Sequence, residues 1–368
     1  MTLDAHTLLA GPRGRRLCLA AACHDPHSER PEVAAFNYLL GWATHQLEKA
    51  RGQEGAIFGW GIPDPLPEPT VEEVVEALEA IPLASLPALT SADLLEALGA
   101  SVDNARYWQE PDGTDELLSD ARLKPALERI AEHLVVLPAV AWWSEGVAAE
   151  QWAVQFRDSV LQEVAPRGLA LIFDRWRTAA DEEEQGFLKH YAADPTANSS
   201  GTWWSRPPLE LAMSTRALPE VGPVGVWLVE DRMGDEPADV QRVHFARSAR
   251  VFEISGAESW VELCRSYPLD VSAGRRYDWF LTTGRTGAWT MPDWSLVARD
   301  FDAVHLSVAA YLSAAGTAIP IDSDTASVIA GWNPDATYWL TDVVLGEFSE
   351  TSWTLDERTR RWAATAHQ

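Results

Sequence analysis

The sequence PEVAAFNYLLGWATHQLEK, residues 31–49, begins with a proline and repeats apolar residues at helical spacing. Val33, Phe36, Leu40 and Leu47 fall on one face, because positions three and four residues apart lie together on a helix. The segment therefore predicts a helix that packs against a core on that face. Similar patterns on either side of it make the first half of the chain predominantly helical.

The other elements of the first half are assigned by the same spacing. Thr70, with Glu73 three positions later, predicts a capped helix over Val71–Ala80. The further predicted helices are Ser91–Leu98, Leu118–Val136, Ala148–Val164 and Leu169–Tyr191. The apolar run Leu17–Ala22 is interpreted as a buried strand. We expect a mainly helical domain over residues 1–198.

Beyond Ser199 the apolar pattern changes towards a period of two, which is typical of strands. The predicted strands are Leu209–Leu218, Val224–Glu230, Val240–Phe245, Arg250–Ile254, Ala303–Val308, Thr317–Ile321, Ser327–Ala330 and Tyr338–Leu345. The predicted helices of this half are Ala257–Tyr267 and Trp294–Arg299. The expected fold class is α+β, with a mixed α+β domain of short, mainly antiparallel strands over residues 199–368. This half is the candidate catalytic or ligand-binding half.

The charge balance excludes some classes of partner. Lys+Arg 29 against Asp+Glu 55 gives a formal net charge of -26, which repels nucleic acid and anionic lipid. A small anion stays possible where arginines gather locally. No apolar run is long enough to cross a membrane. The charge and the lack of such a run predict no nucleic-acid or membrane partner. The three cysteines, Cys18, Cys23 and Cys264, are typical of reduced thiols, so we expect a cytoplasmic protein.

Tryptophan is abundant in this chain, with 18 residues, most of them after Trp203. A high density of this side chain indicates either a heavily packed core or a cleft that stacks flat ligands. Arginine greatly exceeds lysine and alanine is frequent, which is typical of a G+C-rich coding sequence of the actinobacterial kind.

Candidate binding residues occur in the second half. Arg216, preceded by Thr215 on a predicted strand, has the planar fork that clamps a carboxylate or phosphate. Arg275, Arg276 and the sequence Thr-Thr-Gly-Arg at 282–285 form a second basic set, in a loop whose backbone N–H groups can face an anion. Both sets predict a site for a small anionic ligand.

Two other constellations have equally simple structural explanations. Asp302 and His305 lie three apart around a predicted strand, so their side chains point to opposite faces and a direct dyad is not expected. The polar and aromatic segment 103–113 can hold a ligand, but interdomain packing is the preferred interpretation. Four potential zinc ligands lie within ten residues with a spacing that does not suit common sites, so no metal is expected: Cys18, Cys23, His24 and His27.

Familiar catalytic motifs are missing from suitable contexts. The sequence has no Gly-x-Ser-x-Gly elbow, phosphate-binding Walker loop, His-Glu-x-x-His helix or dinucleotide-binding glycine motif in place. This argues against the most frequent hydrolases, NTPases and dehydrogenases. Groups that meet only in space, such as a Ser-His-Asp triad, stay open.

The order of elements over residues 209–340 resembles that of a family of actinobacterial proteins. The resemblance includes Thr215-Arg216, the strand around His305 and the segment GWNPDATYWL, residues 331–340. The arginine on an early strand and Asp302 before a late strand are also similar to features of ADP-ribosyltransferase-type domains. The Ser-Thr-Ser strand and the Glu-x-Glu turn of those domains have no clear counterpart here.

The second resemblance implies an NAD-using transferase with its cleft in the C-terminal half. It implies that Arg216, with Thr215 and Arg285, holds a cofactor phosphate, and that Trp227 or Tyr338 stacks on nicotinamide. It also implies that a carboxylate, assigned to Glu347, stabilises the developing sugar cation, with Asp302 and His305 as further candidate catalytic residues.

Two alternatives come from other classes of protein. The first is a non-enzymatic interaction protein, whose tryptophans fill its cores and whose partner is another protein. The second is a metal-dependent hydrolase that uses His24, His27 or His305 with a nearby aspartate.

Overall fold

Helices make up most of the N-terminal part of the chain in the computed structural model. The structure describes residues 3–25, 30–53, 66–157, 168–191, 193–219, 221–232, 234, 236–348, 351–356, 358–359 and 361–366. The helices are α1 (Ala5–Ala10), α2 (Pro12–Ala22), α3 (Pro31–Ala50), α4 (Val71–Ala80), α5 (Ser91–Asp103), α6 (Gly113–Leu118), α7 (Lys124–Leu134), α8 (Leu169–His190), α9 (Ala257–Ser266), α10 (Arg276–Thr283), α11 (Trp294–Asp300) and α12 (Val308–Ala314).

The strands are short and lie mostly in the second half. They are β1 (Gln151–Phe156), β2 (Met213–Ser214), β3 (Ala217–Leu218), β4 (Gly222–Pro223), β5 (Ala238–His244), β6 (Val251–Ile254), β7 (Pro268–Asp270), β8 (Ala288–Pro292), β9 (Ala303–Leu306), β10 (Ile319–Pro320), β11 (Thr325–Ser327), β12 (Thr337–Trp339), β13 (Val344–Phe348), β14 (Thr351–Asp356) and β15 (Arg361–Ala366). They form several small, mainly antiparallel sheets, so the α+β fold class is confirmed.

The strongest helix predictions are confirmed. Residues 31–49 lie in α3, and 169–190 form α8. At α4 the Thr70 hydroxyl accepts from the backbone N–H of Glu73 at 3.2 Å, and Glu73 accepts from the Thr70 N–H at 2.8 Å. This reciprocal cap satisfies donors that the first helical turn leaves free.

Two predictions of the first half are wrong. Leu17–Ala22 belongs to α2 and is not a strand, because the helix is buried among neighbours and an apolar run alone does not reveal its period. Within Ala148–Val164, the residues Gln151–Phe156 form β1 and not a helix. Trp152, Val154 and Phe156 alternate with other residues, which is strand spacing. Residues 158–164 lie outside the described residues.

Other boundaries also differ from the predictions. The predicted helix Leu118–Val136 begins later than expected. Leu118 is the last residue of α6, a turn follows, and the helix itself is α7, Lys124–Leu134. The predicted strand Val224–Glu230 is instead a short 3-10 turn, Val224–Val226, followed by irregular chain. Its apolar residues are there because the segment is buried, and they form no ladder with a neighbouring strand.

The sheet that carries the central charged residues has the strand order β2-β12-β9-β6. β6 runs parallel to β9, which places Glu253 opposite His305, and β12 runs antiparallel to β9, which places Thr337 opposite His305. β9 is buried along its whole length. His305 therefore lies in the interior, between two strands that can supply partners.

The other described strands form three further sheets. One has β1, β5, β14 and β15 in that order, with β13 also paired to β5. A second has the order β10-β11-β8-β7, and β3 pairs with β4. β1 thus brings the N-terminal part into a sheet with strands of the C-terminal part.

The core continues across residue 198, the boundary expected from the sequence. α12 packs against α1 and α2, and one hydrophobic cluster includes both Leu8 and Trp260. The most deeply buried large side chains are mainly tryptophans: Trp143, Trp260, Trp279, Trp289, Trp294, Trp332 and Trp339. Tryptophan in this chain therefore serves mostly as core. None of the described helices has both the length and the apolar character needed to cross a bilayer.

Candidate functional site

A pocket of about 610 Å³ lies where the N-terminal helices meet the C-terminal part. It is formed by the start of α2, the chain between α5 and α6, the end of α10 and the loop that follows α12. Its walls include the Tyr107 and Phe280 rings and four arginines: Arg13, Arg15, Arg51 and Arg106. Four carboxylates also line it, Glu110, Asp112, Asp115 and Glu116, so the pocket is formally balanced in charge within a chain whose net charge is -26.

Two of these arginines, Arg13 and Arg106, form ion pairs with carboxylates of the protein. Arg13 is 1% exposed, forms an ion pair with Asp115, and donates to the Ser101 carbonyl at 2.8 Å. Arg106 donates through Nε to Asp231 at 3.0 Å. Their charges are therefore largely neutralised within the protein.

The Arg15 guanidinium is different, because its hydrogen bonds go to backbone carbonyls. It donates to Leu9 at 2.9 Å and to Ala10 at 3.2 Å, at the end of α1. Among the described residues no carboxylate lies within ion-pair distance of it, and its Nε is buried without a hydrogen-bond partner. Burial lowers the pKa of Arg15 against the opposing effect of the Asp115 charge, and the Arg13 charge adds to the lowering. A partly buried cation without an ion-pair partner favours an anion beside it.

Arg51 contributes a second incompletely bonded guanidinium. It donates to the Pro111 carbonyl at 2.8 Å, and its Nη2 lies 3.3 Å from Oε2 of Glu116. The Nε of Arg51 is buried and has no partner among the described residues. Arg15 and Arg51 thus leave buried N–H donors at the pocket wall.

Three of the four wall carboxylates, Asp112, Asp115 and Glu116, form ion pairs with arginines. Arg16 contacts Asp112 at 2.7 Å and Asp115 at 3.1 Å. Burial by itself would raise the pKa of Asp112, but the neighbouring Arg16 outweighs it and the pKa is lowered. The positive end of α2 also lies at the pocket, since Pro12 at its first turn is a lining residue.

Behind this wall lies a buried polar group formed by Glu230, Tyr107 and Tyr311. Both Glu230 carboxylate oxygens and both tyrosine hydroxyls are buried without a hydrogen bond of ordinary geometry. Burial raises the pKa of Glu230 to about 8, against the opposing effects of the Tyr311 hydroxyl, the Gly331 backbone, Arg206 and Arg13. Tyr107 belongs to the pocket wall as well as to this group.

A second charged cluster lies on the β2-β12-β9-β6 sheet. Arg216 donates through its backbone N–H to Asp335 at 2.9 Å and through Nε to the same carboxylate at 2.7 Å. Its other nitrogens donate to Glu145 at 2.9 Å and to the Gly146 carbonyl at 2.7 Å. The guanidinium also lies over the Trp142 ring at 5.0 Å.

His305 connects this arrangement to Glu253. Its Nδ1 lies 2.5 Å from Glu253 and its Nε2 lies 3.4 Å from Asp335. Burial by itself would lower the pKa of His305, but the two carboxylates outweigh it and raise the pKa to about 9. The ring is therefore an imidazolium at neutral pH, with both nitrogens occupied. It serves better as an internal cation than as a general base.

The structure thus brings together Arg216 and His305 from the sequence-based candidates. Thr215 is adjacent, but its hydroxyl accepts from the Gly225 N–H at 3.0 Å. The partners Glu145, Glu253 and Asp335 were missed, because they are distant in sequence. An acidic residue inside the predicted strand 250–254 was the available signal for Glu253.

The other candidates lie elsewhere. Asp302 accepts from the Arg250 N–H at 2.8 Å and so helps to begin β9. Trp227 is buried and donates to the Val221 carbonyl at 3.2 Å. Arg285 donates to the Ala288 and Asp324 carbonyls at 3.0 and 2.7 Å.

Tyr338 and Glu347 are not part of the Arg216 cluster either. Tyr338 is buried against Trp332, with ring centroids 5.4 Å apart. Glu347 is exposed on β13, in a different sheet from Arg216 and His305. Their expected cofactor and catalytic roles stay predictions that the described geometry does not assemble into one site.

The pocket uses parts of two weaker sequence candidates. The segment 103–113 and residues 282–284 of the second basic set both line it. Arg275, by contrast, pairs with Glu183 at 2.7 Å. Arg13 and Arg15 had no functional assignment from the sequence, although the basic run 13–16 was a visible signal.

The metal-ligand candidates at the N-terminal end do not converge in the described part of the chain. Nε2 of His24 lies 3.3 Å from Asp93, and Cys18 is buried in α2. Among the described residues, no three potential ligands are grouped so that they could hold a metal ion. His27 lies outside those residues.

Comparison with known proteins adds no relative to this description. Scans against protein-family models, curated proteins and solved structures found no match to the chain.

Proposed function

We propose that this protein binds a small organic anion in the arginine-lined pocket. The observation that supports the proposal is that two arginines of the pocket wall, Arg15 and Arg51, each have a buried Nε without a hydrogen-bond partner among the described residues. Leaving a buried donor unsatisfied costs about 1–3 kcal/mol, and more when the group is charged. An anionic ligand that accepts from these groups removes that cost.

The chemistry of the wall suggests the class of ligand. Guanidinium groups match carboxylate and phosphate oxygens, and the Tyr107 and Phe280 rings offer apolar surface for an organic body. A volume of about 610 Å³ is typical of sites for small molecules and cofactors. NAD, the cofactor expected from the resemblance to ADP-ribosyltransferases, belongs to this class through its phosphates and flat rings.

The location of this ligand differs from the one expected from the sequence. Arg216 already donates to Asp335, Glu145 and Gly146, so a phosphate there must displace an internal contact. Arg15 needs no such exchange. Transferase activity requires that the pocket binds NAD, so NAD binding is tested first.

A thermal-shift titration tests the proposal with sulfate, phosphate, NAD, ADP-ribose and nicotinamide. A ligand at about 100 times its Kd stabilises the native state by about 2.7 kcal/mol. We expect saturable shifts with the anions and none with uncharged nicotinamide. Arg15→Gln and Arg51→Gln should each weaken binding at least tenfold, since a charge-assisted contact contributes about 1.5–3 kcal/mol.

Arg129→Gln is the matched control. Arg129 also donates to two backbone carbonyls, those of Leu78 and Ile81, but it lies on α7 away from the pocket. Its loss should leave the anion shift unchanged. Equal weakening in all three variants, or no anion shift in the wild type, would reject the pocket and favour the interaction protein.

We also propose that the protein works in the cytoplasm. Cys18, Cys23 and Cys264 form no disulfide in the structure, as expected in a reducing compartment. Fractionation of the cells that produce the chain, with the protein detected in each fraction, tests this location.

A further inference from the structure

The pocket and the buried group of Glu230, Tyr107 and Tyr311 share part of their structure. Tyr107 is 4% exposed and belongs to both. Arg13 lines the pocket, and its charge also acts on Glu230 and on both tyrosines. Tyr107 and Arg13 therefore belong both to the pocket wall and to the electrostatic surroundings of the Glu230 carboxyl.

The surroundings of Glu230 favour its protonated form. Burial makes an ionised carboxylate costly in the interior, and this effect on Glu230 outweighs the stabilisation that the Tyr311 hydroxyl and the Gly331 backbone offer its charged form. The other groups that act on it are two cations, Arg13 and Arg206, and the Tyr107 hydroxyl. Arg13 is itself paired with Asp115, so the stabilisation it offers a second carboxylate is limited.

We propose that anion binding in the pocket is coupled to protonation of Glu230, which holds the proton that is taken up. The inference rests on the proposed function. An anion beside Arg13 and Arg15 offsets the positive potential that favours ionised Glu230, so occupancy of the pocket raises the affinity of Glu230 for a proton. By reciprocity, protonation of Glu230 strengthens anion binding by the same factor.

The proton comes from solvent, and the ligand is not altered. The fraction of Glu230 that is ionised before binding gains a proton as the anion enters, and returns it as the anion leaves. Near and above pH 8 the buried group thus neutralises part of the ligand's charge without a metal or a further arginine.

Calorimetry with sulfate measures the coupling, because sulfate does not titrate near neutral pH. Titrations in two buffers with different heats of ionisation give the number of protons taken up per bound sulfate. Since the pKa of Glu230 is about 8, we expect almost no uptake at pH 6 and up to about half a proton at pH 8. Glu230→Gln should still bind sulfate, with the pH 8 uptake lost.

Each outcome decides between the two proposals. Saturable sulfate binding with equal proton uptake in wild type and Glu230→Gln would overturn the coupling and leave the pocket intact. Failure of the wild type to bind sulfate would overturn the coupling and the proposed function together. Loss of the pH 8 uptake in the variant alone supports both.

Tyr311→Phe keeps the proposal testable if the Gln variant does not fold. The Tyr311 hydroxyl lowers the pKa of Glu230, so its removal should raise that pKa further. Proton uptake should then decrease at pH 8 and increase at about pH 9. An unchanged pH profile in a folded Tyr311→Phe variant, checked by circular dichroism, would overturn the coupling.

Discussion

His305 and Glu253 face each other across two parallel strands, with Nδ1 of His305 2.5 Å from Oε2 of Glu253. On its other side His305 meets Asp335, which also accepts two hydrogen bonds from Arg216. The two cations and two carboxylates form one network that connects β6, β9 and the chain before β12. The stability that this network contributes should therefore change with pH and should decrease when any one of its members is replaced.

Replacement of His305 by Gln should cost most at neutral and acidic pH. The pKa of His305 rises from 6.5 to about 9 in the folded chain, so the native state holds its proton more tightly than the unfolded state. The resulting stability is complete below about pH 6.5 and is lost as pH rises through 9. It amounts to about 1–3 kcal/mol. Urea unfolding of both proteins at pH 6 and pH 9.5 measures it, and equal differences at the two pH values would contradict the prediction.

Asp335→Ala should be among the most destabilising single changes. It leaves Arg216 and His305 as buried cations without their shared partner, which costs about 3–5 kcal/mol. Asp335→Asn should cost less, because asparagine accepts a hydrogen bond and tolerates the positive φ of 58° at this position. Denaturant midpoints of the two variants provide the measurement. A smaller loss for alanine than for asparagine would argue against the ion-pair explanation.

Gly316→Ala should destabilise the protein and disturb the pocket. Gly316 has a φ of 71°, and a Cβ there would collide with the Tyr107 ring. We expect a loss of more than about 1 kcal/mol from the backbone conformation and the collision. Gly41→Ala is the control, since Gly41 lies inside α3 with open space around it and alanine should stabilise by about 0.5–1 kcal/mol. Melting temperatures that move in opposite directions would support both statements.

Thr70→Ala should destabilise α4 by about 1 kcal/mol, because the reciprocal cap with Glu73 is lost. Thr70→Ser keeps the hydroxyl and should cost only a few tenths of that. Thermal unfolding of the two variants distinguishes loss of the cap from a general effect of substitution. Equal losses would show that the hydroxyl is not the stabilising group.

Local patterns were sufficient for several elements of the fold. α3 and α4 depend on apolar spacing and a cap, both of which lie within one helix. β1 was missed because its alternation covers only six residues and borders on helix-like sequence. α2 was missed because it is buried among other helices, so that its apolar run shows no polar face.

The candidate sites depend on residues that only the fold brings together. Arg216 and His305 were recognised as chemically versatile, but their partners come from positions 145, 253 and 335. Arg15 received no functional assignment from the sequence beyond its place in the basic run 13–16, because the sequence does not show that its guanidinium lacks a carboxylate partner. Such properties follow from burial and from the neighbours of a side chain in space, which no local pattern encodes.

The pairing of β1 with β5 has a consequence for the order in which this chain matures on the ribosome. Gln151–Phe156 leaves the exit tunnel well before its partner Ala238–His244, and α1 and α2 leave long before α12, which packs on them. Apolar surface of the nascent N-terminal part therefore stays exposed until the later residues that cover it have been synthesised. We expect a fragment that stops near residue 198 to need chaperones or to aggregate, and a protein released whole to fold as one unit.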